Sequence, residues 1–132
     1  MYLIDSSLWI DYFRPKGSSA VKSRVRQVLQ NDEALTCGIV IVEVLRGART
    51  EAEYSMLEES ITSLQQIPFD NEIFNRAAQW AYQMDRKGRI ISTTDLLIAS
   101  AAFGKALLLH NDEDFETIAA HVHIKEERVT AK

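Results

Sequence analysis

Three short apolar runs, residues 2–4, 34–37 and 106–109, and a short strand candidate at 64–67 ended by Pro68, alternate with segments whose apolar residues recur at helical spacing. Runs this short and this apolar read as strands buried on both faces, with helices as the crossovers between them. The predicted fold is α/β: a three-layer α/β/α sandwich around a central parallel sheet of four to five strands. Right-handed crossovers bring the strand C-termini to one edge, where ligand chemistry in open α/β sheets gathers. The residues just after each strand therefore matter most.

The helical segments carry their own signals. Asp5, Ser6 and Ser7 form a capping cluster ahead of a short apolar helix with Leu8, Trp9, Ile10, Tyr12 and Phe13, which ends in a turn over residues 14–17. Val21, Val25, Val28 and Leu29 make a stripe over residues 18–30. The β-branched residues 39–42 favour a strand by propensity. They run on through Glu43 to a glycine stop at Gly47, so Gly38 is read as the strand end and the rest as a buried helix. Residues 51–61 are charged and helical in character. Ile73, Ala77, Trp80, Ala81 and Met84 share one helical face, with Asp70 as N-cap and Gly88 as stop. Residues 92–95 cap an almost wholly apolar helix ended by Gly104, and residues 111–114 cap another that runs to Ala120. Residues 122–124 are predicted as an edge strand, with His121 and His123 on its surface.

At 132 residues the chain has room for one hydrophobic core. Its net charge of −4 argues against holding nucleic acid by bulk electrostatics. The one cysteine, Cys37, excludes an internal disulfide and a cysteine-based zinc site, and reads as a small buried filler. The start carries no basic segment ahead of an apolar stretch, and no apolar run approaches the ~20 residues that span a bilayer. A soluble cytoplasmic domain is the expectation.

Acids occupy the positions after the strands. Asp5 ends the first run, Asp95 opens a helix, Asp112 and Asp114 follow the last run, and Glu43 sits inside an apolar stretch. Taken singly, Asp5, Asp95 and Asp112 suit helix caps or first-turn charges, and Glu43 suits an ion pair with Arg46 or Arg49. Taken together, carboxylates brought to one edge repel one another unless protons or cations compensate. An all-oxygen cluster suits Mg2+ or Mn2+. A bound ion acidifies its water and stabilises the charge that builds on a phosphate under attack, which points to phosphodiester hydrolysis.

Four segments in order carry a family resemblance: YLIDSSLWID (residues 2–11), VIVEVLRG (40–47), TTDLLIASAA (93–102) and LLHNDEDF (108–115). Together they resemble the PIN domains of VapC-type toxins from bacterial toxin–antitoxin pairs, over essentially the whole chain. The resemblance implies that residues 1–132 form a single PIN domain, a magnesium- or manganese-dependent endoribonuclease that leaves 5′-phosphate and 3′-hydroxyl ends. By position it implies that Asp5, Glu43, Asp95 and Asp112 are the metal-binding and catalytic quartet, with Asp114 as a further acidic metal position. Many relatives carry Thr or Ser where this chain has His110. The implied partners are RNA (tRNA among the candidates), a VapB-type antitoxin and a second copy of the chain.

Arg14, Arg46 and Arg89 are candidates to guide an RNA backbone, whereas Arg86 and Lys87 suit the end of a helix. Trp9, Tyr12 and Phe13 suit core or partner contacts better than base stacking. A receiver-type phosphoacceptor module also gathers acids at a sheet edge, but Lys105 precedes the last apolar run, where that module needs a lysine after it. The remaining alternative is a catalytically silent PIN-like binding module, against which the complete acidic set argues.

Overall fold

The computed structural model describes residues 1–130. Five parallel strands, β1 (Tyr2–Ile4), β2 (Ala34–Thr36), β3 (Gln65–Gln66), β4 (Leu107–His110) and β5 (Glu126–Arg128), form one sheet in the order β3-β2-β1-β4-β5. Seven helices flank it: α1 (Ser6–Phe13), α2 (Ser19–Gln30), α3 (Gly38–Leu45), α4 (Glu51–Thr62), α5 (Asn71–Arg86), α6 (Thr93–Ala102) and α7 (Glu113–His121). The sandwich and its parallel sheet agree with the expectation. Leu3, Ile4, Leu108 and Leu109 of the two central strands have no exposed surface, as strands covered on both faces require.

The strand order locates the site. β1 pairs with β4, Ile4 opposite Leu109, yet the chain leaves β1 towards β2 and leaves β4 towards β5. The connections thus part at the β1–β4 boundary, opening a crevice beyond the strand C-termini. Asp5 follows β1 there, and its N–H donates to the Leu109 carbonyl of β4 (2.9 Å).

Helix ends follow local chemistry. The Asp70 carboxylate accepts from the Ile73 N–H (2.9 Å) at the start of α5, and Gly88 ends it at φ +72°. There the Gly88 and Arg89 N–H groups donate to the Asp85 and Met84 carbonyls, satisfying groups a helix end would leave bare. Ser100 of α6 donates to the Ile73 carbonyl (2.8 Å), and Arg76 of α5 donates back to the Ser100 carbonyl (2.7 Å). These bonds seat α6, the helix that carries Asp95. The ambiguous stretch after Gly38 is helix α3.

Two readings are corrected. Residues 122–124 are not a strand: α7 extends to His121, Ile124 turns into the core, and the edge strand lies at Glu126–Arg128. His121 accordingly belongs to α7 and His123 to the connection. The edge strand is wholly charged, and each side chain has a distant partner: Glu126 with His110, Glu127 with Arg24, Arg128 with Glu116. Such pairing lets a polar segment finish a sheet and discourages further strand addition.

The turn joining α1 to α2 is tight at Gly17, where a Cβ would stand 1.9 Å from the Asp11 carbonyl oxygen. Gly17→Ala forces the backbone apart and is expected to cost about 1–3 kcal/mol, measured as a lowered midpoint of thermal unfolding.

Candidate active site

Each predicted acid is placed by a distinct local device. Asp5 is the N-cap of α1 and only 4% exposed. Its carboxylate accepts from the Ser7 N–H (3.2 Å) and the Ser7 hydroxyl (2.7 Å). The same hydroxyl accepts from the Asn111 N–H (3.2 Å), so Ser7 joins the end of β1 to the loop after β4. Asp112 is the N-cap of α7, and its Oδ1 accepts from the Asp114 N–H (2.9 Å). Asp95 lies in the first turn of α6, behind the Ser92 cap.

Asp95, Asp112 and Asp114 each place a carboxylate oxygen so that all three lie within 4.8 Å of one another. Asp5 and Glu43 lie outside that tight group but are electrostatically joined to it. Asp5 acts on Asp95, Asp112 acts on Asp5, and Asp5 acts on Glu43. Glu43 is the one acid of the five that comes from α3, and its Oε1 accepts from the Ser6 hydroxyl (3.1 Å). Among the described residues it forms no ion pair with Arg46 or Arg49. Of its apolar sequence neighbours, Val40, Val44 and Leu45 are buried while Val42 is 64% exposed.

The net shifts of Asp5, Glu43, Asp95 and Asp114 are all upward. Burial, reinforced by the charges of Asp5, Asp112 and Asp114, pushes the Asp95 carboxyl up to about 6, against a bond from Ser92. Burial raises Asp5, with the Ser7 bonds opposing and Asp112 adding. Glu43 is raised chiefly by burial, with the Ser6 bond and the Arg46 charge opposing and Asp5 adding. Burial and then Asp112 and Glu113 raise Asp114. Among the described residues no lysine, arginine or histidine forms an ion pair with any of the five. This donor set, all oxygen, crowded and free of paired cations, fits a hard divalent ion.

Cys37 is fully buried at the start of α3, and burial, with Asp5 and Glu43 adding, pushes its thiol up. A thiol held protonated is no nucleophile. Trp9 is 2% exposed and stacks on Phe13, so this helix builds core and not a base platform. Phe13 also lines a groove of about 390 Å3 with Ile10, Val44, Met56 and Leu57, rimmed by Arg14 and Arg49. Lys87 Nζ lies 3.1 Å from His121 Nδ1, and Arg86 lies over the Tyr82 ring. The sequence marks Ser7 only as part of a capping cluster; its second bond, to the Asn111 N–H, has no local signal. The role of His110 was also missed: the ring is fully buried, turned away from the crevice towards Glu126.

A family model described as the PIN domain matches residues 2–121. Ribonuclease VapC11 of Mycobacterium tuberculosis is 36% identical over 124 residues, covering 90% of this chain and 92% of its own. Ribonuclease VapC1 of Haemophilus influenzae is 28% identical over 124 residues, covering 89% and 92%. Among solved structures, VapBC2 from Rickettsia felis bound to a promoter DNA fragment superposes with a TM-score of 0.79 at 23% identity, covering 98% of both chains. DNA-bound VapBC from Salmonella typhimurium gives 0.75 at 21% identity, covering 96% of each.

Proposed function

The chain belongs to the PIN-domain family, and on that footing we propose that it is a divalent-metal-dependent endoribonuclease, the toxin of a type II toxin–antitoxin pair. The observation that carries the reading is the group of three carboxylate oxygens within 4.8 Å of one another at the strand-order switch. Asp95, Asp112 and Asp114 would hold the ion, with Asp5 completing the set from the end of β1 and Glu43 from α3. Mg2+ or Mn2+, when bound, supplies an acidified water and positive charge against the phosphate oxygens. Glu43, raised by burial and held by Ser6, would take up a proton more readily than an ordinary carboxylate. No side chain forms a covalent intermediate.

A solved structure of the same fold, at 19% identity, is of a member of the VapBC family of toxin–antitoxin systems, which supports a VapB-type antitoxin as partner here. The apolar groove of Ile10, Phe13, Val44, Met56 and Leu57 suits an apolar segment of that partner, and a homodimer is the proposed toxin assembly. Among the described residues no helix is long and apolar enough to cross a membrane.

Incubating the chain with total tRNA and structured RNAs, with Mg2+ or Mn2+ or with EDTA, tests the reading. Cutting that needs the ion, yields 5′-phosphate ends and is absent with Asp5→Asn is the expected result. Cutting that survives EDTA contradicts the metal requirement, and no cutting with either ion contradicts the nuclease and favours a binding module.

A further inference from the structure

We propose that the C-terminal edge strand β5 is a positioning clamp for the loop that carries Asp112 and Asp114. The proposal rests on the nuclease reading and concerns residues beyond the family match, which ends at residue 121, before Glu126–Arg128. β5 lies parallel to β4 with His110 opposite Arg128, and the Val129 N–H donates to the His110 carbonyl (2.7 Å). From that register two side chains of β5 reach both flanks of Asp112.

The first reach is through a buried ring. His110 has no exposed surface, its Nε2 lies 2.7 Å from Glu126 Oε1, and its Nδ1 accepts from the Asp112 N–H (3.1 Å). Accepting at Nδ1 leaves the ring proton on Nε2, where it is donated to Glu126. The ring therefore spans from the edge strand to the backbone of the acid, held against Phe115 at a centroid distance of 5.0 Å. The second reach is through Arg128. Its Nε donates to Asn111 Oδ1 (3.2 Å) and its Nη1 to Glu116 Oε1 (2.8 Å). Residues 110, 111 and 116 are thus tied to one strand, with both acids between them.

Asp112 needs the support because its carboxylate has two tasks. Oδ1 already caps α7 through the Asp114 N–H, and the same carboxylate faces Asp95. A backbone free to turn about Asn111 would trade one task against the other. Without Glu126, a buried Nε2–H has no acceptor, and the ring gives up either its tautomer or its place. In metal sites such outer partners set the orientation of the ligands they touch. His110 and β5 act on Asp112 and not on substrate, so they are positioning residues.

The test uses the full chain as parent, Glu126→Ala, Glu126→Gln and Arg128→Gln. Mn2+ affinity is titrated with the metal alone, and exchange of the Asp112 amide is followed by NMR in metal-free protein. Glu126→Ala is expected to weaken Mn2+ binding about 10–100-fold and to speed Asp112 exchange. KM for RNA should change little while kcat at limiting Mn2+ falls. Glu126→Gln, whose amide oxygen still accepts from Nε2–H, should stay within about threefold of the parent. Parental Mn2+ affinity and amide protection in Glu126→Ala overturn the clamp alone. Should that variant fail to fold, Arg128→Gln decides: a several-fold loss of affinity supports the clamp and an unchanged affinity overturns it. A parent that binds no Mn2+ overturns the nuclease reading and the clamp together.

Discussion

Asp5→Asn is expected to lower RNA cleavage by about a thousandfold or more while unfolding at the parent's temperature or above it. The two halves of that outcome have separate causes. An Asn oxygen accepts from Ser7 as Asp5 does, so the cap of α1 and the bridge through Ser7 to Asn111 persist. Burial and the Asp112 charge raise the Asp5 carboxyl, so its charged form is disfavoured where it stands. Removing the charge therefore relieves the fold and disables the site. Rates on a mapped RNA and calorimetric unfolding check both halves. An inactive but markedly destabilised variant would assign Asp5 to structure.

The second large effect couples pH, ion and stability. Asp95 is raised to about 6 from an ordinary 3.8, so the folded chain binds that proton more tightly than the unfolded one. Its contribution to stability is complete below about pH 4 and is lost as pH rises through about 6. Asp5, Glu43 and Asp114 shift in the same direction. Glu127, lowered by Arg24, has the opposite sign but acts at and below its ordinary range, and His121, lowered by burial and by Lys87 and Arg89, opposes within the window between pH 5 and 7 but is one group against four. The thermal midpoint of the metal-free chain should therefore fall from pH 5 to pH 7. Mn2+ should reverse the fall, because an ion at a hundred times its Kd adds about 2.7 kcal/mol. Apparent ion affinity should rise about tenfold per pH unit below 6 and level off above it, as one proton leaves Asp95. EDTA should return the midpoint to its metal-free value. A midpoint that ignores both pH and ion would remove the electrostatic basis of the site.

Legibility followed the range of the interactions. The stripe of Ile73, Ala77, Trp80 and Met84, the Asp70 cap and the Gly88 stop are contained in one helix, and all were readable locally. Asp5 and Asp112 were legible both as caps and as acids beyond strands, and the structure makes each one an N-cap. The apolar run around Glu43 pointed to a partly buried carboxylate, and burial does raise it, but its hydrogen-bond partner Ser6 lies 37 residues away and only the fold supplies it. β5 was placed four residues too early because nothing in Glu126, Glu127 and Arg128 resembles a strand. It forms by pairing with β4 and through partners such as Arg24, 103 residues distant. His110 likewise stands at a strand end whose buried character depends on Glu126 as acceptor. Local pattern cannot report a partner that only the fold supplies.

The most direct measurement is anomalous diffraction from crystals of the parent chain soaked in Mn2+. The account predicts a peak in contact with carboxylate oxygens of Asp95, Asp112 and Asp114, on the side facing Asp5. A peak elsewhere, or none at an Mn2+ concentration that supports cleavage, would contradict it.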